Sequence, residues 1–423
     1  MEQSFTVDTV QFGLARFGFV ELRDGRFLAV IPVLQGLISK DRGRTWGEAY
    51  PLVTKSGKPL VAKWRSSVLR LASGQIGIAY KNSDEREPKP GNIRMNQYAM
   101  SFTTSADEGK TWSEPHRINF PDGWVGLLHD PMVQTKSGRL ILPVSNDHYG
   151  RRSEHDAGEV KASVKGNAVG VEAHGHYPEI DIAFVYYSDD EGETWKTSDN
   201  HIIGWPEEGK RGIYPTEEPT VAQAEDGRLL MFTRSTLGRV VEAWSDDDGT
   251  SWTRGLPNGL CNSLSPARLR RIPTTGDLHC VWNQATPAEI RRGFRRSRLS
   301  SAISKDGGKT WEHFKMLDCA DPLDKSVRQE PDPKIEFVVA DRDCGEMPEN
   351  WCIYRYANMH YAGDTAYIAY DRESFKHPGA PPRQHVLRAI PIQWLYDDAR
   401  SDLRLPNDIA PGLAAGVGEN IED

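Results

Sequence analysis

The stretch ISKDRGRTW, residues 38–46, returns in altered form four more times along the chain. Aligned on the tryptophan, the copies read SKDRGRTW (39–46), SADEGKTW (105–112), SDDEGETW (188–195), SDDDGTSW (245–252) and SKDGGKTW (304–311). Each follows a short alternating run such as YAMSFTTS or RVVEAWS, the period of a strand. The Asp and Gly then fall where a hairpin must turn. The carboxylate can accept backbone N–H groups across the turn, glycine can take a positive φ, and the tryptophan can pack back under the sheet. These boxes are predicted to hold a repeated β unit together and to perform no chemistry.

Between the boxes lies a second repeat, an inner hairpin around a glycine turn. Its six copies are FVELRDGRFLAVI, SVLRLASGQIGIAY, MVQTKSGRLILPV, TVAQAEDGRLLMF, RLRRIPTTGDLHCVW and NMHYAGDTAYIAY. With a two-strand unit after each, the pattern predicts an all-β chain, a six-bladed β-propeller of four-stranded antiparallel blades. One domain is expected over residues 1–400, with 401–423 as a C-terminal tail. The sixth module has no box. QHVLRAIPIQW (384–394) is expected to close its outer part, and the N-terminal segment 4–12 to complete it. Long insertions at 148–181, 285–298 and 318–350 are expected to shape a binding face or to make contacts in a homo-oligomer.

The formal net charge of -8 disfavours nucleic acid or an anionic membrane as partner. No apolar run is long enough to cross a bilayer, and the first residues show no basic leader followed by an apolar stretch, so a cytoplasmic location is expected. The five cysteines, Cys261, Cys280, Cys319, Cys344 and Cys352, are odd in number, widely spaced and without a CxxC pair. Reduced thiols are expected, not a disulfide framework or a structural zinc. Neither a metal nor another cofactor is implied, since the HGH tripeptide near His155 lacks a recognised ligand spacing.

In a propeller the innermost strands begin around one axis, so equivalent positions form a ring. Counting nine residues back from each hairpin glycine gives Arg16, Arg65, His129 and Glu218. Where the turn length changes, the count offers Ser265 or Ala267, then Tyr354 or Tyr356; Asp130 stands beside His129. Burying such groups together is costly unless they meet a ligand or one another, so the ring reads as an active or binding site. The alternative is a water-filled channel lined by satisfied polar groups.

These residues resemble the sialidase superfamily of Asp-box propellers, including its bacterial BNR-repeat branch, over nearly the whole chain. The resemblance implies three arginines that clamp a substrate carboxylate, a tyrosine that attacks the anomeric carbon, a glutamate that takes its proton, and an aspartate of the first blade that protonates the leaving group. EPTVAQAEDGRLLMFTR matches the family's glutamate at Glu218 and its second arginine at Arg234. Tyr356, in YANMHY, matches the nucleophile, with Tyr354 as fallback. Arg16, in RFGFVEL, stands for the first arginine, with Phe-Gly in place of Ile-Pro. Arg296, in RRSRLSSAISKD, stands for the third, with Arg295 and Arg298 in competition. Arg65 and Ser265 complete the substrate-binding set, and RRIP at 270–273 is read as a decoy at a hairpin turn.

One element of the family pattern is missing. RFLAVIPVLQGLISKD joins the second and third strands of blade 1 through a few residues and holds no acid before the box. A general acid is therefore expected from Asp130 or His129, or from His148, Glu154, His155, His174 or His176 of the blade 3 insertion. The expected function is an exo-glycosidase that removes a terminal acidic sugar from an oligosaccharide. Alternatives are a lyase acting on a uronate by β-elimination and a non-catalytic carbohydrate-binding propeller.

Overall fold

The computed structural model describes residues 4–397 apart from 15, 32, 63–64, 84–97, 119–123, 129, 150–159, 165–166, 172–178, 206–213, 236, 287–288, 290–291, 293, 295, 321–322, 324–344, 347, 349–350 and 376–382. Six antiparallel blades follow one another, each built from the predicted inner hairpin and an outer pair. Blade 1 is Gly18–Glu21, Phe27–Ile31, Gln35–Ser39 and Tyr50–Pro51. Blade 4, with the longest inner strand among the first five, is Glu217–Gln223, Leu229–Arg234, Arg239–Ser245 and Leu256–Cys261. The ring closes in blade 6, where Phe5–Asp8 pairs with Arg383–Pro391 in the register Phe5↔Ala389 to Asp8↔Val386. The N-terminus thus supplies the outer strand of the last blade, as the sequence suggested.

Apolar side chains fill the spaces between neighbouring blades. Leu28 and Val30 of blade 1 meet Ile76 and Ile78 of blade 2, and Leu71 and Phe102 of blade 2 meet Leu140 and Phe184 of blade 3. A second strand is covered on both faces, which is why Phe27–Ile31 and Leu278–Trp282 are buried throughout and read as near-continuous apolar runs.

The boxes link blades as well as closing turns. Asp107 Oδ1 accepts from the Thr111 N–H at 2.9 Å and from Ser105 Oγ at 2.8 Å, and Gly109 N–H donates to Ser105 Oγ at 2.9 Å. Gly109 has φ +80, and a Cβ there would lie 2.5 Å from Leu28 Cδ2 of blade 1. The same collision awaits a side chain at Gly192 against Phe102, at Gly249 against Ile141 and at Gly308 against Leu230. Each of these four box glycines is therefore needed twice, for its left-handed backbone and for its close approach to the preceding blade.

Blade 6, which has no box, uses a different device. The segment expected to close its outer part, 384–394, is a strand as far as Pro391, and Ile392–Tyr396 forms a short helix. Ile392 and Leu395 pack on Ile272 and Ile303 of blade 5, and Tyr396 Oη bonds Asp277 Oδ2 at 2.7 Å. This helix couples blade 6 to blade 5 where a box would otherwise do so.

Inner strands start on one face of the disc, and the glycine turns and boxes lie on the other. The connections that carry the three insertions join strand 2 to strand 3, or strand 4 to the next blade, so they emerge on the starting face. Within the described residues, Val160–Val164 pairs antiparallel with Asn167–Val171, and its Ala162 and Ser163 pair in parallel with Gly345 and Glu346. Two insertions from different blades are thus tied into one small sheet on that face. Cys261, Cys280, Cys319 and Cys352 are not joined in disulfides, and Cys344 lies outside the described residues.

Because boxes are remote from the starting face, Asp41→Ala is expected to lower unfolding free energy by about 1–3 kcal/mol through the lost turn hydrogen bonds. Denaturant titration measures it, and activity per folded molecule stays at the wild-type level.

Candidate active site

The ring residues are aimed by an unusual backbone. Arg16, Asp130, Glu218, Leu264 and Tyr356 each have positive φ, between 44 and 57 degrees, the first four near the start of an inner strand and Tyr356 at a break within Trp351–Ala362. Left-handed backbone is disfavoured for residues other than glycine and persists where surrounding structure enforces it, often at functional sites. Register shifts accompany it between Glu217 and Thr220 and between Arg355 and Asn358. Such bulges turn a side chain out of the blade and toward the axis.

Tyr356 sits among cations. The guanidinium carbons of Arg16, Arg65 and Arg296 lie 4.7, 5.1 and 5.6 Å from its ring centroid. Arg65 Nη2 is 3.5 Å from the Tyr356 hydroxyl, while its Nη1 donates to Glu218 Oε1 and to the Leu127 carbonyl, both at 2.9 Å. Arg234 Nη1 donates to the other oxygen, Glu218 Oε2, at 2.9 Å. Burial pushes the Glu218 carboxyl up, but Arg65, Arg234 and Arg296 outweigh it and hold it at about 2. Glu218 is thus an ionised carboxylate shared between two arginines.

The arginines are not equivalent. Arg16 and Arg65 keep 18% and 21% of their side chains exposed, against 1% for Arg234, so the first two face solvent at the mouth. Arg234 lies behind Glu218 and also approaches Glu217 at 3.4 Å. Arg296 is buried and held by blade 5, its N–H on Ser263 Oγ and its Nη2 on the Leu264 carbonyl.

Arg16 is fixed by a carboxylate that sequence reasoning did not find. Its Nε donates to Asp371 Oδ2 at 2.8 Å, and His385 Nδ1 meets Asp371 Oδ1 at 2.5 Å. Burial pushes the Asp371 carboxyl up, but His385 and then Arg16 outweigh it and hold it at about 2. A folded value below the ordinary 3.8 means stability that is present above about pH 4 and lost as pH falls towards 2. Asp371→Asn is therefore expected to flatten this part of the acid-unfolding curve, by on the order of 2 kcal/mol.

Several expected site residues lie elsewhere. Asp130 does not join the Tyr356 cluster. Its carboxylate is buried on the axis, where it accepts from Ser67 Oγ at 3.1 Å and the Val68 N–H at 2.8 Å and pairs with His360 at 3.1 Å and Arg270 at 3.5 Å. A carboxylate committed to four groups is a structural junction and is poorly placed as a general acid. Ser265 is fully buried, with its Oγ on Asn262 Oδ1 at 2.9 Å, so it anchors a turn and offers nothing to a substrate. Tyr354 is a core residue packed edge-on against Tyr370, which leaves Tyr356 as the phenol at the mouth. Arg298 is buried against Glu289 at 2.6 Å. His129, Glu154, His155, His174, His176 and Arg295 lie outside the described residues, and His148 is placed only through its backbone pairing with Ile180. The blade 1 connection is as short as expected: Leu34, with φ 59, donates its N–H to the Ile31 carbonyl at 2.9 Å, closing a tight turn.

A model of the BNR repeat-like domain matches residues 40–364. The chain belongs to the BNR repeat-like family. Solved structures share the fold of this BNR-repeat protein. A Hadza microbial sialidase aligns with a TM-score of 0.54 at 16% identity, covering 89% of this chain and 65% of that one. A protein of unknown function from Dyadobacter fermentans aligns at 0.53 and 16% identity, covering 89% and 94%. An α-L-arabinofuranosidase of Fusarium graminearum aligns at 0.50 and 13% identity, covering 90% and 93%. Two of these three propellers are glycoside hydrolases. No curated protein matches the chain.

Proposed function

We propose that this protein is a sialidase-like glycoside hydrolase that removes a terminal, carboxylate-bearing sugar with retention of configuration. The observation that carries this reading is the cluster at the mouth: one phenol, Tyr356, with three guanidinium groups around its ring and an ionised Glu218 bridged to it through Arg65. Arg16 and Arg65, the partly exposed pair, bind the substrate carboxylate through forked hydrogen bonds. Tyr356 Oη attacks the anomeric carbon as its bond to the glycosidic oxygen breaks, Glu218 accepts the phenolic proton, and the departing oxygen takes a proton from water at the mouth; water then cleaves the glycosyl–tyrosine bond, and Glu218 returns its proton to the Tyr356 oxygen. A phenol suits this substrate because the sugar's own carboxylate would repel an Asp or Glu nucleophile, and sialidases use tyrosine for that task. Arg16, Arg65 and Arg296 favour negative charge on the phenol oxygen as the proton departs.

The tight turn of blade 1 favours a second reading, in which the same arginines hold a uronate and Tyr356 removes the proton beside its carboxylate. Elimination needs no acid from blade 1. Incubation with oligosaccharides ending in acidic sugars separates the two. Hydrolysis releases an intact reducing sugar whose anomeric configuration NMR reads as retained; elimination releases an unsaturated uronate absorbing at the ultraviolet edge. Failure to turn over any acidic glycoside would overturn both.

A further inference from the structure

Apart from the mouth, the axis holds a second group of charges. Arg268 and Arg270 lie two residues apart on the inner strand of blade 5, Arg268–Arg271, and so share a face of it. Leu269, between them, packs into the interface with blade 4. Arg270 reaches Asp130 and the Asp130 and Pro131 carbonyls of blade 3. His360 of blade 6 meets the same carboxylate and stacks on Phe19 of blade 1 at 4.3 Å. Arg268 touches none of these carboxylate or carbonyl oxygens. Its Nε, Nη1 and Nη2 are closed to solvent and, like His360 Nε2, have no hydrogen-bond partner among the described residues.

The charges in this group do not balance. Among the described residues, two guanidinium groups face one carboxylate, Asp130, which is already engaged by Arg270, His360, Ser67 and Val68. Burial holds His360 down at about 4, so it is neutral near pH 7 and adds no charge of its own. Burial and then the neighbouring Arg270 act against the Arg268 cation. Arginine does not escape by losing its proton, because its intrinsic basicity is too high. An enclosed, unpaired cation costs several kcal/mol, and neutral water leaves the net charge in place. One negative charge restores the balance.

We propose that Arg268, together with Arg270 and His360, encloses a small monovalent anion of the chloride class on the propeller axis, as a structural element distinct from the substrate site. A single excess charge calls for a monovalent ion, and the sealed surroundings favour a monatomic one over a carboxylate on a sugar. The ion enters as blades 5 and 6 close on the axis, and it links blades that share no box.

Crystals of the intact chain grown with bromide in place of chloride test this directly. The expected result is an anomalous difference peak in contact with the Arg268 guanidinium. No peak there, or peaks confined to Arg16 and Arg65 at the mouth, overturns the proposal. In solution, melting at fixed ionic strength with chloride replacing gluconate is expected to raise the wild-type Tm steadily with the logarithm of chloride, while Arg268→Met shows no dependence. A wild-type Tm indifferent to chloride overturns it too. The crystallographic arm uses the wild-type chain and stands even if the variant fails to fold.

Discussion

Tyr356→Phe is expected to lower kcat on an acidic glycoside on the order of 10^3-fold or more, with KM nearly unchanged. The substitution removes only the attacking oxygen. The aromatic ring on which Arg16, Arg65 and Arg296 lie is kept, so the arrangement that binds the carboxylate persists. Initial-rate kinetics over a range of substrate concentrations give both constants. Arg16→Ala should do the reverse in proportion, raising KM more than it lowers kcat, because that side chain is partly exposed at the mouth and is proposed to hold the substrate carboxylate in the ground state. A Tyr356→Phe protein with wild-type kcat would remove the tyrosine from the reaction.

Asp130→Ala is expected to destabilise the fold by about 3–5 kcal/mol, the range for breaking a buried pair and leaving its partner charged and alone. The carboxylate is a shared point for four blades. Ser67 and Val68 come from blade 2, Arg270 from blade 5 and His360 from blade 6, while Asp130 itself belongs to blade 3. Gly18 of blade 1 presses against it so closely that a Cβ would lie 2.8 Å from its carboxyl carbon. Denaturant unfolding monitored by tryptophan fluorescence measures the loss. Asp130→Asn keeps the shape and can still accept from Ser67 and Val68, so it should be less damaging, with turnover per folded molecule close to wild type. Complete inactivity in a folded Asp130→Asn protein would return Asp130 to the chemistry.

The propeller was legible because its signals are local. A box of eight residues specifies a turn, and a glycine turn between alternating runs specifies a hairpin, so six blades follow from counting. The ring was legible for the same reason at Arg16, Arg65 and Glu218, where the distance to the hairpin glycine is constant. In blade 3 the count fell on His129, which lies outside the described residues, with Asp130 beside it, and in blade 5 it offered Ser265 or Ala267. There the left-handed residue that turns to the axis is Asp130 or Leu264, and a backbone bulge has no fixed signature in residue spacing.

What could not be read was long-range pairing. Arg16 and Asp371 are 355 residues apart and meet because the second strand of blade 6, Thr365–Phe375, runs longer than its counterparts and overhangs the mouth. Glu217 was overlooked beside Glu218 because neighbours on a regular strand face opposite ways, and here the register shift brings both to Arg234. Arg270 was set aside as part of a hairpin turn. The alternation in RLRR held the missing signal, since it puts Arg268 and Arg270 on one face of an inner strand, where two arginines demand an explanation.

The most direct test of the account is a crystal structure of the protein soaked with the acidic monosaccharide that its best substrate releases. The expected map shows the sugar carboxylate in hydrogen-bond contact with both Arg16 and Arg65 and the anomeric carbon facing Tyr356 Oη. A carboxylate bound away from these two arginines, or an anomeric carbon turned from Tyr356, would contradict it.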